Sequence, residues 1–170
     1  MSQSAVVEFT QSLSRANATS SVAGGDGFDE ALDDAIEEPA IGAQLPFPDI
    51  SLANHPVTLD PSPNQLREAR TGVTGSPIGI AELGTVAVQS RSEGDEPVSL
   101  FPERHVVVVQ EADIRPDLES AFDWLREEFD AGLDSVVFET GPSATGDMGA
   151  LVQGVHGPSE VHVIVVEDDA

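Results

Sequence analysis

The most informative segment for the fold is His105-Val106-Val107-Val108-Val109-Gln110, in which four valines follow one another without interruption. Valine favours strands, and a strand that is apolar at successive positions must bury both of its faces. Such strands occupy the interior of parallel sheets, which are covered by helices on both sides. The segment therefore predicts an α/β fold with a mostly parallel sheet flanked by helices.

Similar β-branched runs lie on either side of this segment, at residues 85–88, 135–139 and 161–166. A helix is predicted between the second and third of these four runs, since Pro116 suits its first turn and Gly132 suits its end. Its apolar residues fall on one stripe, which consists of Leu118, Ala121, Phe122, Leu125 and Phe129. Trp124 lies beside this stripe and is interpreted as a packed edge residue. Strands that alternate with helices need crossover connections, which again favours an α/β fold.

The first part of the chain, residues 1–63, has a weaker pattern. Two short helices are predicted there, at residues 6–13 and 28–36. Five prolines between residues 44 and 63 predict an irregular connection. We expect residues 1–63 to belong to the same domain as the regular core, residues 64–170.

Charge is the strongest feature of the composition. Asp and Glu number 31, against seven basic residues that are all arginine, and the net charge is −24. Self-repulsion of this size destabilises a compact chain, and salt at ~1 M screens it. The composition is typical of a protein from the salt-accumulating cytoplasm of a halophilic archaeon. It argues against binding to nucleic acids or anionic membranes, because few cations are present to neutralise phosphate groups.

Cysteine is absent, which excludes disulfides, thiolate nucleophiles, Cys-ligated zinc and ordinary iron–sulfur clusters in this chain. The four histidines lack the spacing of metal ligands on a common helix, so neither a metal site nor a cofactor is predicted. No apolar run approaches the ~18 residues of a membrane span, and the start of the chain does not resemble a signal peptide. We therefore expect a cytoplasmic protein.

Two loops rich in glycine carry candidates for a binding site. The first, Gly141-Pro142-Ser143-Ala144-Thr145-Gly146-Asp147, follows a strand and is predicted to enter a helix that contains Met148, Leu151 and Val152. Backbone N–H groups and hydroxyls at such a position bind anionic or carbonyl groups. The alternative is that Ser143, Thr145 or Asp147 only caps the helix.

The second loop holds His156 next to Gly157, just before the last strand. A third candidate is Glu82, an acid in an apolar stretch that is either a hydrogen-bonded structural carboxylate or a functional one. We select Glu82 and His156 as candidate catalytic residues. The candidate ligand-binding residues are Gly84, Thr85, Gly141, Ser143, Thr145, Asp147 and Gly157. We expect the three turns that carry these residues to meet at the carboxyl edge of one buried sheet.

Four short motifs in the core occur together, in the same order, in a known family. They are Ala81-Glu82-Leu83-Gly84-Thr85, Phe101-Pro102-Glu103-Arg104-His105-Val106, Gly141-Pro142-Ser143-Ala144-Thr145-Gly146-Asp147 and Gly154-Val155-His156-Gly157-Pro158. Over residues 72–167 the chain resembles the LUD domain, the lactate utilization protein C (YkgG) family. The resemblance implies the NagB/RpiA/CoA transferase-like α/β fold of sugar-phosphate isomerases, CoA transferases and folate cyclo-ligases. It also implies a part in the oxidation of L-lactate to pyruvate, beside an iron–sulfur protein and a cysteine-rich partner.

The motifs differ from the family pattern at Leu83, Ala144, Gly149 and Ser159, and two arginines are lost in this way. A small carboxylate or phosphate would then be held by neutral donors near Ser143, Thr145 and His156 rather than by a bidentate guanidinium.

Three functions follow from these observations. The first is an accessory or ligand-binding subunit of an L-lactate oxidation system, in which electron-carrying clusters lie in partner proteins. The second is a freestanding small-molecule enzyme of the CoA-transferase or cyclo-ligase type, with Glu82 as nucleophile or base. The third is a degenerate domain that acts only through protein contacts.

Overall fold

The computed structural model of the protein describes residues 2–147, 150–154 and 156–168. The helices are α1 (Ser2–Arg15), α2 (Phe28–Ala35), α3 (Pro63–Glu68), α4 (Asp95–Leu100) and α5 (Leu118–Asp130). The strands are β1 (Thr19–Ala23), β2 (Ala40–Gly42), β3 (Val57–Leu59), β4 (Thr71–Gly75), β5 (Gly79–Ile80), β6 (Thr85–Gln89), β7 (Arg104–Gln110), β8 (Ile114–Arg115), β9 (Val136–Thr140), β10 (Ala144–Asp147), β11 (Ala150–Gln153) and β12 (Glu160–Val166).

Six strands form a fully parallel sheet in the order β1-β12-β7-β4-β2-β3. The run of four valines lies in β7, and all four side chains are buried. Val107 and Val109 pack in the same cluster as the apolar side of α1, whereas Val106 and Val108 pack with α2. The prediction of a mostly parallel sheet flanked by helices is therefore confirmed.

Two of the predicted strands, β6 and β9, lie in a second sheet. This sheet has the order β8-β5-β6-β9, and β6 runs antiparallel to both of its neighbours. A tight turn between Ile80 and Thr85 reverses the chain, with Gly84 at a φ of 64° and its N–H donating to the Ile80 carbonyl. The expectation that one sheet edge carries all three candidate turns is therefore wrong.

The helix predicted after Asp147 is a β-hairpin. Leu151 and Val152 belong to β11, which runs antiparallel to β10. Gly146 disfavours a helix and the β-branched Val152 favours a strand, and these local preferences outweigh the apparent helical spacing. Met148, which was also assigned to the predicted helix, lies outside the described residues.

Helix α5 lies where the sequence predicts it, but only part of its apolar stripe faces the core. The buried contact is made by Ala121, and Trp124 packs at the edge of the same cluster. Phe122 and Phe129 remain 54% and 46% exposed. Because Ala121 from the stripe and the neighbouring Trp124 provide the contact with the second sheet, the larger stripe residues Phe122 and Phe129 turn outwards.

None of the helices in the described ranges is both long and apolar enough to cross a bilayer. Within the same ranges, no group of three or more His, Asp or Glu side chains is arranged to hold a metal ion. The cytoplasmic location expected from the sequence stays a prediction.

A cluster of charged residues joins the amino ends of three parallel strands. Arg70 donates to Glu37 at 2.8 Å and to Glu160 at 2.9 Å, and it also contacts Glu103. Arg104 donates to the other oxygen of Glu160 at 2.8 Å. The hydrogen bond from Arg104 and then that from Arg70 lower the pKa of Glu160, against the opposing effect of burial. Arg70 and Arg104 thus reduce the electrostatic repulsion between the glutamates around them.

We expect Arg70→Met to lower the free energy of unfolding by about 1–2 kcal/mol, because three carboxylates would lose their shared cation. The loss should shrink at ~1 M salt, where screening weakens repulsion between the remaining acids. Urea unfolding at low and high salt measures both effects. Arg126→Met is the control, since Arg126 lies 3.6 Å from Asp123 with both side chains mostly exposed. Equal losses in the two variants would contradict the expectation.

Candidate functional site

An open cleft of about 340 Å³ lies beside β9, between that strand, the end of α4 and the loop before β12. Its polar lining residues are Ser99, Glu139, Thr140, Ser143 and His156. Gly141 and Gly157 also line it. Four of the predicted site residues, from two separate loops, are therefore brought to one place.

Ser143 joins the two loops through hydrogen bonds of its backbone and its hydroxyl. Its N–H donates to the Pro158 carbonyl at 2.8 Å, and its carbonyl accepts the N–H of Gly154 at 2.8 Å. Its Oγ accepts the N–H of His156 at 3.3 Å. Because a hairpin follows instead of a helix, Ser143 does not cap a helix. It holds the second loop against the first, and its hydroxyl hydrogen can still be donated to a ligand.

A buried chain of hydrogen bonds connects the parallel sheet with the wall of the cleft. His105 in β7 is fully buried; its Nδ1 lies 2.7 Å from Glu139 Oε2 and its Nε2 lies 2.8 Å from Thr74 Oγ1. The ring can donate a hydrogen bond from Nδ1 to the carboxylate, and its Nε2 pairs with the Thr74 hydroxyl, which can act as donor or acceptor. His105 therefore positions Glu139, whose side chain is only 14% exposed.

Glu139 gives the cleft a carboxylate that can accept a hydrogen bond or a proton from a ligand. The Ser143 hydroxyl, in the loop after β9, and the His156 ring, in the loop before β12, can act as hydrogen-bond donors. Acceptor and donors in one cleft suit a small molecule that carries a hydroxyl or an acidic proton beside an anionic group. The residues present can thus bind such a ligand through hydrogen bonds from both sides of the cleft.

Sequence reasoning missed Glu139 and His105 as members of the site. Glu139 was interpreted as the end of a strand, and His105 as the beginning of an apolar run. A signal was available, since a histidine at the start of a doubly buried strand needs a polar partner from another element. The partner could not be identified, because the pairing crosses from one sheet to the other.

Glu82 lies outside the cleft. Its side chain is exposed, and its Oε1 accepts the N–H of Leu118 at 2.9 Å, in the first turn of α5. A carboxylate at this position satisfies a free amide and interacts favourably with the helix dipole. The structural interpretation of Glu82 is therefore favoured, and the expected convergence of Glu82 with Ser143 and His156 is wrong.

Gly84 and Gly141 both have a positive φ, of 64° and 68°. A Cβ atom on Gly84 would lie 2.5 Å from the backbone nitrogen of Leu13, and one on Gly141 would lie 2.0 Å from the Ala16 carbonyl oxygen. Both glycines leave room for the carboxyl end of α1 and the residue that follows it. Gly84 has a packing role, and Gly141 combines packing with its place in the cleft.

Two of the other predicted ligand-binding residues, Thr85 and Thr145, are not among the described residues that line the cleft. Thr85 Oγ1 lies 2.6 Å from Thr140 Oγ1, across the pair of strands β6 and β9. Thr145 is in β10 and is not among the lining residues, and Asp147 is the last residue of the same strand. Thr85 therefore contacts a cleft residue without lining the cleft itself.

A second histidine, His162 in β12, lies in a cleft beside β1. Its Nδ1 is 2.8 Å from Thr19 Oγ1 and its Nε2 is 3.1 Å from Ser21 Oγ. Burial, and secondarily the positive charge of Arg104, lowers the pKa of His162 to about 4. The ring is therefore neutral at neutral pH and links two strands.

This depressed pKa makes stability depend on pH. Between the ordinary histidine pKa of about 6.5 and about 4, the unfolded chain binds a proton that the folded chain does not. The free energy of unfolding should therefore fall as the pH drops, by about 2 kcal/mol between pH 7.5 and pH 5 from His162 alone. Urea unfolding of the wild type and His162→Gln across this range isolates the contribution. Parallel profiles for the two proteins would contradict it.

Comparison with known proteins gives the family that the four sequence motifs resemble, and the match covers most of the chain. The family model of the LUD domain matches residues 63–166. Lactate utilization protein C of Bacillus subtilis is 35% identical over 105 residues, which cover 59% of this chain and 44% of that protein. The protein of the same name from Bacillus licheniformis is 35% identical over 113 residues, or 64% of this chain and 47% of that protein.

A solved structure supports the fold over a longer segment. The crystal structure of a DUF162 family protein from Deinococcus radiodurans superimposes with a TM-score of 0.72, covers 98% of both chains and is 21% identical in sequence. The likeness extends into residues 1–62, which lie outside the family match. The matched segment, residues 63–166, contains every described residue that lines the cleft. The chain belongs to the LUD domain family and is related to the lactate utilization proteins C.

Proposed function

We propose that this chain is the ligand-binding subunit of an L-lactate oxidation system, and that it binds a small hydroxy carboxylate in the cleft beside β9. The observation that carries the proposal is the family match, because it includes the whole described lining of the cleft and the relatives are named lactate utilization protein C. These relatives are matched over less than half of their length. A separate test of function is therefore needed for this chain.

The roles of the site residues follow from their chemistry. Ser143 and His156 would donate hydrogen bonds to the ligand carboxylate, in place of the arginines of the family pattern. Glu139 would accept a hydrogen bond from the ligand hydroxyl, and His105 would act as its positioning residue. Such an arrangement discriminates a hydroxy acid from an unsubstituted acid, which would leave the carboxylate of Glu139 without its donor.

Electron transfer is assigned to partner proteins. Oxidation of lactate to pyruvate releases two electrons, and this chain has no cysteine with which to hold an iron–sulfur cluster. We assign the clusters to an iron–sulfur protein and a cysteine-rich protein that act with this chain. A small phosphate, which the same neutral donors could bind, is the competing ligand in the cleft.

A second candidate function is a freestanding enzyme of the CoA-transferase or cyclo-ligase type. The Glu139–His105 pair favours this candidate over a degenerate, empty domain, because a carboxylate fixed in position on the wall of a cleft is a candidate acid or base by its geometry. Glu139 then takes the role that the sequence suggested for Glu82. In both candidates the cleft beside β9 is the site.

Gene deletion tests the proposal. Loss of this chain should abolish growth on L-lactate and leave growth on pyruvate unchanged, and an affinity-tagged copy should restore growth. The tagged protein, purified in high salt, should bring down a protein with the iron content and visible absorption of an iron–sulfur cluster. Normal growth of the deletion strain on L-lactate would contradict the proposal. Restored growth without a cluster-containing partner would contradict the assignment of partners.

A further inference from the structure

We propose that β9 and the end of α4 form an interface with a second copy of this chain. β9 is the last strand of the second sheet, and in the described residues no other strand pairs with its outer side. An exposed strand edge is a template for pairing with another chain unless it is covered or carries charged side chains. Four of the five residues of β9, Val136-Val137-Phe138-Glu139-Thr140, are uncharged.

An apolar groove runs along this edge. Val137 is 51% exposed, and Leu100 and Phe101 at the end of α4 are 53% and 57% exposed. These three residues line one groove together with Val88 and Pro97. Large apolar side chains that are exposed next to one another indicate an interaction surface, whereas single ones are common on any protein.

The distribution of charge favours a second copy as the occupant. Two chains that each carry a net charge of −24 repel one another, so they can associate only through surfaces with few acids. Glu96 is the single charged residue in the described lining of the groove. A second exposed apolar surface, formed by Phe122 and Phe129 on α5, is less suited to contact with a second copy because acidic residues surround it. It shares its helix with five acids and one arginine, namely Glu119, Asp123, Glu127, Glu128, Asp130 and Arg126.

A two-fold axis close to Val137 would pair the exposed edges of two β9 strands. The same axis would bring the two apolar grooves together. Two β9 strands would pair antiparallel and join two four-stranded sheets into one of eight strands. Val137 would face Val137 of the other copy, and Glu139 would face Ser135 instead of a second acid. The apolar ends of the two α4 helices would then cover one another.

The interface would also complete the candidate site. Val88, Ser99, Leu100 and Val137 line both the groove and the cleft that holds Glu139. A second copy seated in the groove would therefore cover part of the open side of that cleft. Covering the cleft removes water and strengthens hydrogen bonds to a bound ligand.

Light scattering in high salt tests the interface. The wild type should have twice the chain mass of 17.8 kDa. Val137→Glu should give the single-chain mass, because it places two like charges on the axis. The matched control is Phe122→Glu on α5, which should remain a dimer because Phe122 is equally exposed outside the groove. A monomeric wild type, or a dimer lost in Phe122→Glu and retained in Val137→Glu, would overturn the proposal.

A cross-linking experiment covers the case in which Val137→Glu fails to fold. Because the chain has no cysteine, Val137→Cys introduces a single thiol. Directly opposed residues of antiparallel strands lie within the Cα separation that a disulfide spans. Mild oxidation should convert Val137→Cys into a covalent dimer and leave Phe122→Cys mostly monomeric. Equal cross-linking of both variants, or of neither, would overturn the proposed axis.

Discussion

Replacing Gly141 by alanine should lower the free energy of unfolding by about 3–5 kcal/mol. Gly141 has a φ of 68°, which is unfavourable for a residue with a side chain. The added Cβ would also lie 2.0 Å from the Ala16 carbonyl oxygen, too close for any contact. Relief would require the segment after α1 to move away from the loop that carries Ser143.

Urea unfolding measures this effect, and Gly24→Ala is its matched control. Gly24 has an ordinary φ of −65°, and a Cβ there would meet no atom within 4 Å. The control should therefore change the free energy of unfolding by less than about 1 kcal/mol. Gly84→Ala should behave like Gly141→Ala, because its Cβ would meet Leu13. Similar stabilities for Gly141→Ala and Gly24→Ala would mean that α1 is not packed as described.

Replacing Glu139 by glutamine should reduce the affinity for the ligand by about 10- to 100-fold, the range expected for the loss of a hydrogen bond to a charged acceptor. A glutamine oxygen can still accept the hydrogen bond from His105, so the fold should be preserved. The side chain would no longer accept a proton or carry a charge. Growth on L-lactate should therefore fail, while the unfolding transition stays close to that of the wild type.

Glu82→Gln is the control for this variant, because Glu82 belongs to a shared motif but lies outside the cleft. It should support growth on L-lactate and cost about 1 kcal/mol of stability, through its weakened contact with the first turn of α5. The reverse result, growth with Glu139→Gln and failure with Glu82→Gln, would restore the assignment made from sequence. Binding titrations with L-lactate in high salt should give the same order as the growth test.

The parallel sheet could be predicted from the sequence because its main signal is local. The four valines of β7 require burial on both faces, and the structure places α1 and α2 on those two faces. The second sheet could not be predicted in this way. Its strands are as β-branched as those of the first sheet, and the difference between them lies in the turn at Gly84, which reverses the chain. A tight turn and a crossover connection can begin with the same residue types.

The candidate site could be predicted only in part, for a related reason. Ser143, Gly141, His156 and Gly157 were identified because glycine-rich loops next to strands are recognisable along the chain. Glu139 was not, because its role depends on a contact with His105, 34 residues away in the other sheet. Glu82 was selected because the stretch around it is apolar, yet the side chain points to solvent and contacts a helix end.

The orientation of α5 gives a similar lesson. A stripe of Leu118, Ala121, Phe122, Leu125 and Phe129 is the usual sign of a buried face. This helix contacts the second sheet through Ala121 and the neighbouring Trp124, while Phe122 and Phe129 stay exposed. Periodicity identifies an apolar face and does not determine what covers it.

The central claim is that ligand binds beside β9 and not near Glu82, and amide chemical shifts test it directly. Adding L-lactate to the isotope-labelled protein in high salt should move the amide signals of Gly141, Ser143 and Gly157. The signals of Glu82 and Gly84 should stay in place. Shifts confined to Glu82 and Gly84, or no shifts at all, would contradict the account.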